Sequence, residues 1–309
     1  MSKSNKIYLG ILIVLVIIFL ITKMNDKTEK IVRFFTVDST DVIKIAITDL
    51  QGNVVVDRTD GMWKITDPIQ YPSDETRVNN MFSKLINAET SNLPLTDSAE
   101  SLANYDIADS VATLVTFYDK NDKILAETYI GRMKGQMKTP ARHKGSNKVY
   151  LLNESLTYMI KSDVQNWRDK NVAEIEQDSI DKISVIYGDQ GYEISRQDSV
   201  WLFEDGKHSQ VIPENNSALK MIFSGLKMIT SSKFHDNEYD KYEALLANPT
   251  LEIGVTQLDD NNVYLRLAKE IDDEKNYVMQ KNDDTEHLFV QHESWAKRFM
   301  KSFEDFQDK

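Results

Sequence analysis

The stretch "VQNWRDK", Val164 to Lys170, puts a Trp, an Arg, an Asp and a Lys into one short run. Such a run reads either as a site or as the end of a folding unit. The residues "FEDFQDK", Phe303 to Lys309, decide between the two, because they repeat its pattern: apolar, polar pair, aromatic, polar, Asp, Lys. Upstream of each run lies a one-sided apolar stripe. Leu156, Ile160, Val164 and Trp167 recur 139 residues later as Trp295, Phe299, Phe303 and Phe306. The i, i+4 spacing predicts a closing helix in each half. Trp167 is then a packed anchor with Phe306 as its twin, and Arg168, Asp169 and Lys170 form an exposed exit.

Other landmarks recur in the same order, as expected of an internal repeat. Alternating "VIKIAI" (42–47) matches "IDKISV" (180–185), and Trp63 in a following strand matches Trp201. Val78, Met81, Phe82 and Leu85 form a helical stripe, repeated 141 residues later by Leu219, Ile222, Phe223 and Leu226. Pro72 and Pro213 precede these helices, and Ser73 is the expected N-cap of the first. Strands follow at 111–118, 124–131, 141–144 and 148–152, and again at 250–258, 262–269, 276–281 and 287–291. Their connections are rich in Asp, Asn, Gly and Lys, which predicts antiparallel meanders. The fold class read from these patterns is α+β. It consists of two tandem repeats, 37–170 and 171–309, each an antiparallel β-meander packed with amphipathic helices.

The 309 residues carry a net charge of −12 and no cysteine, so disulfides, thiolate metal sites and a Cys nucleophile are excluded. Lys6 and Lys23 enclose a 16-residue run, 7–22, without a charge. As a helix the run is about 24 Å long, slightly short for a bilayer core of about 30 Å, a gap that snorkelling lysines close. No Ala-x-Ala pattern follows, so the run reads as an uncleaved transmembrane anchor rather than a signal peptide. Lys3 and Lys6 place residues 1–6 in the cytoplasm by the positive-inside bias. Residues 23–36 read as a linker. The expected location is the inner (cytoplasmic) membrane, single-pass, with the C-terminal domain extracytoplasmic. Residues 1–30 hold five Lys against Asp26 and Glu29, which leaves −15 for the rest. That balance argues against nucleic acid, which needs a basic footprint.

The anchor, the entry "RFFTVDSTDVIKIAI", the Trp63 strand leading to "YPSDETRVNNMFSKL", the "YIG" strand end and the "NWRDK" exit together resemble the family catalogued as domain of unknown function 4340. The resemblance implies a bacterial envelope protein whose genes often lie beside ABC-transporter components. It implies no catalytic residues and no cofactor.

Motifs for enzyme chemistry are missing from the sequence. "GRMKGQMK" (131–138) lacks the phosphate-loop spacing, no G-x-S-x-G elbow exists, and the five histidines are dispersed. The reading is therefore not an enzyme. Asp259, Asp260, Asp283 and Asp284 sit on alternate turns of the second meander, where a weak Ca²⁺ site or plain solvated turns are the two readings. One segment breaks the background. Gly131–Lys148 holds Arg132, Lys134, Lys138, Arg142, Lys144 and Lys148 with no acid, while the matching 268–287 has seven acids and three bases. Arg132, Lys134, Lys138, Arg142 and Lys144 are the candidate binding residues for anionic lipid, an acidic partner or an anionic glycan. The competing readings are a solubilising hairpin or a dock for the acidic second module. The expectation is a membrane-anchored accessory or scaffold protein of an envelope complex, an ABC transporter for choice, with an envelope protein as partner. The alternative is an extracytoplasmic ligand- or polysaccharide-binding module, and an envelope hydrolase comes third.

Overall fold

The computed structural model describes residues 11–18, 28–132, 137–198 and 200–307. The fold is α+β, dominated by antiparallel sheets with few helices. The chain divides into two compact units, Met1–Asp169 and Lys170–Lys309. Residues 11–18 are helical (α1), and every side chain in them is exposed.

In the first unit, β1 (Ile31–Arg33) precedes β2 (Lys44–Asp49), β3 (Gly52–Thr59), β4 (Met62–Asp67) and β5 (Tyr71–Pro72). Asp60 and Gly61 both have positive φ, as a two-residue primed turn between β3 and β4 requires. Helix α2 (Glu75–Ile86) follows, then β6 (Glu89–Ser91), a 3₁₀ segment (Ala99–Tyr105), β7 (Thr113–Tyr118), β8 (Ile124–Ile130), β9 (Thr139–His143) and β10 (Tyr150–Leu152). The main sheet runs β10-β9-β8-β7-β2-β3-β4-β5. It is two meanders joined where β2 pairs with β7. Alternate residues Ile45, Ile47, Val54, Val56, Trp63, Ile65, Val115 and Phe117 line one core with Val78, Met81, Phe82 and Leu85 of α2. The period-two and period-3.6 stripes thus face each other, as the sequence patterns require.

In the second unit, β11 (Asn171–Ala173), β12 (Ile180–Tyr187), β13 (Gln190–Gln197), β14 (Val200–Glu204) and β15 (Ser209–Ile212) lead to helix α3 (Ser217–Leu226). Then come β16 (Ile229–Thr230), β17 (Phe234–Asp236), α4 (Tyr239–Leu246), β18 (Leu251–Gln257), β19 (Val263–Lys269), β20 (Asn276–Lys281), β21 (His287–His292) and α5 (Glu293–Ala296). The sheet order is β15-β14-β13-β12-β18-β19-β20-β21-β17. Gly225 inside α3 makes packing possible. A Cβ there would sit 2.9 Å from the Phe299 ring, and the Gly225 carbonyl accepts a 3.0 Å bond from Trp295 Nε1.

Several expectations need correction. The N-cap of α2 is Asp74, whose carboxylate accepts from Arg77 N at 2.9 Å, while Ser73 Oγ donates to the Trp63 carbonyl at 2.7 Å. Neither closing helix forms as one continuous element. Val164–Asn166 is a single 3₁₀ turn, and α5 is followed by a 3₁₀ segment, Phe303–Phe306. Asp163 accepts from Gln165 N and restarts the chain, as short polar side chains do when they compete for backbone donors. Leu156, Ile160, Trp167, Trp295, Phe299 and Phe306 are buried nevertheless. The expected exposed exit also fails at Arg168, which is fully buried with its guanidinium 4.0 Å over the Tyr71 ring. The expected linker 23–36 contains ordered structure. β1 pairs with β6, and Phe34 and Phe35 enter the main core, Phe35 at 5.2 Å from Phe117. Among the described residues no helix is long and apolar enough to cross a membrane, and residues 7–10 and 19–22 of the expected anchor lie outside them.

Candidate functional site

The basic segment starts at Gly131, directly after β8. A Cβ at Gly131 would collide with the Tyr105 carbonyl oxygen and lie 2.9 Å from Ile107 Cβ. The close approach is fixed by three bonds: Arg132 N to Tyr105 O at 2.8 Å, Gly131 N to Pro140 O at 2.9 Å, and Thr157 Oγ1 to Gly131 O at 3.0 Å. The "YIG" strand end is therefore a packing motif in which only glycine admits the crossing of the 105–107 segment.

The four described residues of the predicted five do not all lie on one exposed face. Arg132 is exposed, 5.8 Å over the Tyr158 ring, and lines a cleft of 290 Å³ with Asp49, Asp106, Thr157 and Lys161. Lys161 lies 5.8 Å from the same ring, and Tyr158 is 69% exposed. Lys134 lies outside the described residues. Lys138 is exposed and lines a different groove, of 390 Å³. Arg142 and Lys144 share a face, as period-two alternation expects, but with different fates. Lys144 is exposed and bridges Glu127 at 2.6 Å, a bond that raises its pKa. Arg142 is buried and lies 4.3 Å over the Tyr129 ring. It donates to Ile107 O at 2.9 Å and Ser146 O at 3.0 Å and pairs with Asp109. The Arg142 bond holds the Asp109 carboxyl below its usual range. Arg142 thus braces a small second core of Leu102, Ile107, Ala112, Tyr129 and Val149. Between them in sequence, His143 stacks on Phe34 at 4.3 Å, and burial pushes its imidazole pKa down.

Sequence reasoning missed a buried polar cluster in the second unit. His235 on β17, Tyr242 on α4 and Glu270 just after β19 are all buried. His235 Nε2 lies 3.0 Å from Glu270 Oε2, and the Tyr242 hydroxyl donates to Glu270 Oε1. His235 Nδ1 faces Glu238 Oε2 at 3.3 Å, and Lys241 reaches both Glu238 at 3.9 Å and Asp272 at 3.4 Å. Burial, then the bond to Glu270, raises the Tyr242 pKa to about 12. The cluster pins α4 over Leu246, Ala268, Val278 and Leu288. His235 and Tyr242 sit on different elements and Glu270 follows a third, 28 residues beyond Tyr242, so no local spacing announces the cluster. The arrangement is a buried hydrogen-bond network of carboxylate, imidazole and phenol.

Among the described residues no group of three or more His, Cys, Asp or Glu side chains converges as a metal site. The Asp259–Asp260 and Asp283–Asp284 turns are part of that result. Asp283 pairs with Arg266, and Asp284 accepts from the Glu286 and His287 backbone N–H groups at 2.8 and 3.1 Å.

Residues 63–211 match the family described as Domain of unknown function (DUF4340). The matched segment contains Trp63, α2, Gly131, the "NWRDK" run and Trp201. No curated protein and no solved structure matches the chain.

Proposed function

We propose that this chain, DUF4340 over residues 63–211, is a membrane-anchored extracytoplasmic accessory or scaffold protein of an envelope complex. The observation that carries the reading is helix α1. Its eight residues, Ile11 to Ile18, are all apolar and 46–57% exposed around the whole circumference. A helix that is apolar on every side and buries none of them calls for an apolar surrounding. Residues 7–22 would supply it by inserting into the inner membrane, with the two β-rich units extracytoplasmic. In its narrowest form the proposal makes the complex an ABC transporter, the association that the family resemblance implies. No catalytic role is assigned.

The matched strand orders support a further element of the proposal, that the units are copies of one module. In each, two four-strand meanders meet at an antiparallel pair, β2 with β7 or β12 with β18. Each has an amphipathic helix after its first meander, α2 or α3, and a two-stranded ribbon, β1–β6 or β11–β16; the second unit adds α4 before its second meander.

The test is fractionation of cells expressing the full chain, followed by affinity purification from detergent-solubilised membranes. The expected result is a chain that alkaline carbonate does not extract and that retains envelope proteins. Recovery in the soluble fraction would overturn the anchor, and a membrane-bound chain without partners would overturn the scaffold role. A second reading, ligand capture, is favoured by one feature, exposed Tyr158 between Arg132 and Lys161 beside the 290 Å³ cleft. Titration with anionic oligosaccharides, with Tyr158→Ala as control, tests it.

A further inference from the structure

The β1–β6 ribbon stands apart from the main sheet of its unit. Among the described residues β1 pairs with β6 and no other strand, and all three of its residues are exposed. Ile31 is 67% and Val32 41% exposed, so the strand leaves branched apolar side chains wet on both faces. Ile31 lines the 390 Å³ groove with Leu93, Pro94, Leu95 and Leu151, and Leu95 is itself 45% exposed. Exposed cations surround this apolar surface. Lys30 precedes the strand and Arg33 ends it, Lys138 lines the same groove, and Lys148 lines the neighbouring one. Glu29, Glu89 and Asp97 sit among them.

The length of chain before β1 identifies what covers this surface. Only residues 23–30 separate the apolar run from Ile31. Eight residues span at most about 28 Å. A helix that inserts into the bilayer therefore holds β1 close to the headgroups. Charge agrees with that placement. Residues 31–169 hold 16 Lys and Arg against 19 Asp and Glu, whereas residues 170–309 hold 16 against 28. The half tethered next to the membrane is the one that an anionic surface repels least.

Building on the anchor reading, we propose that the β1–β6 ribbon is a second membrane contact. In it, Ile31, Val32 and Leu95 enter the interface of the same bilayer that holds the anchor, and Lys30, Arg33, Lys138 and Lys148 meet its anionic headgroups. Apolar insertion together with basic residues is the usual pairing of forces for interfacial attachment. The contact would fix the orientation of the first unit over the membrane, which a single point of attachment does not.

The absence of cysteine makes the test direct, because each introduced thiol is the only one. Ile31→Cys and Leu95→Cys replace exposed side chains, and Ile186→Cys and Leu258→Cys, also exposed, serve as controls in the second unit. The full chain carrying a fluorophore at each site is reconstituted into phosphatidylcholine vesicles with or without phosphatidylglycerol, each doped with a headgroup-quencher lipid. Flotation is measured on the same samples. The expected result is flotation of all four, with quenching at 31 and 95 roughly twofold or more above 186 and 258. The excess should grow with phosphatidylglycerol and shrink in high salt, where screening falls to about 3 Å. Flotation with equal quenching at all four sites would overturn the ribbon contact and leave the anchor standing. Excess quenching that ignores phosphatidylglycerol and salt would overturn the anionic surface as the occupant. Failure to float would remove the anchor and this inference with it.

Discussion

Gly131→Ala tests the claim that the "YIG" strand end is a packing motif. The added methyl would meet the Tyr105 carbonyl oxygen and sit 2.9 Å from Ile107 Cβ, and backbone on one side is unable to yield as a side-chain tip does. Either Gly131 or the 105–107 segment must move. Movement lengthens the Arg132 N to Tyr105 O bond of 2.8 Å or the Gly131 N to Pro140 O bond of 2.9 Å. Overpacking a fitted site costs about 1–3 kcal/mol, and a weakened buried hydrogen bond adds about 1 kcal/mol. The expected loss is therefore roughly 3 kcal/mol, a fall in melting temperature of about 6–12 °C for a unit of this size. Gly52→Ala is the control, because nothing lies within 4 Å of its Cβ position and its φ is not positive. Urea denaturation of wild type and both variants gives the comparison. A Gly131→Ala protein within about 0.5 kcal/mol of wild type, the range of ordinary surface changes, would refute the close-approach reasoning.

Trp167 is fully buried with Nε1 donating to the Lys161 carbonyl at 2.7 Å, so Trp167→Ala should cost on the order of 3–5 kcal/mol in denaturant titration. Arg142→Met should cost about 2–4 kcal/mol, because it strips the bonds to Ile107 O and Ser146 O, while Arg132→Glu should stay within about 0.5 kcal/mol. The Tyr242 pKa is raised in the fold to about 12, so folding favours the neutral phenol. That contribution, about 2–3 kcal/mol, is fully present below the unfolded phenol pKa near 10 and is lost as pH rises from about 10 to 12. Chemical denaturation across this range should give a shallower alkaline loss in Tyr242→Phe than in wild type.

The legible part of the fold was the part with period. The stripe Val78, Met81, Phe82, Leu85 and its counterpart from Leu219 to Leu226 lie on helices, and both stripes are buried. The alternating strands fell within two or three residues of their observed ends. What failed was shorter than a period. β1, β6, β11 and β16 have two or three residues each, too few for alternation to register. The closing segments kept helical spacing of buried residues without the helix. A chain that turns repeatedly over one core can bury every fourth residue in bends, and Asp163 and Ser302 supply caps that break it into single turns. Arg168 reads as surface in any sequence window, but it packs against the Tyr71 ring and bridges to Ser73 in the fold.

The candidate site divides along the same line. Sequence alternation placed Arg142 and Lys144 on one face, but the direction of the Arg142 guanidinium depends on Ile107 O, which reaches it only because Gly131 lets that segment cross. On the duplication proposed above, Gly131 and Glu270 are equivalent positions, each the first residue after the second strand of the second meander. Each meets a short helical segment ending or centred on a tyrosine, Tyr105 in one unit and Tyr242 in the other. In the first unit the backbone closes against glycine, and a neighbouring arginine on β9 braces the small core. In the second a buried carboxylate takes the phenol and an imidazole instead. The same junction closes in one unit around a glycine, tied by backbone hydrogen bonds, and in the other around buried side chains that hydrogen-bond to one another.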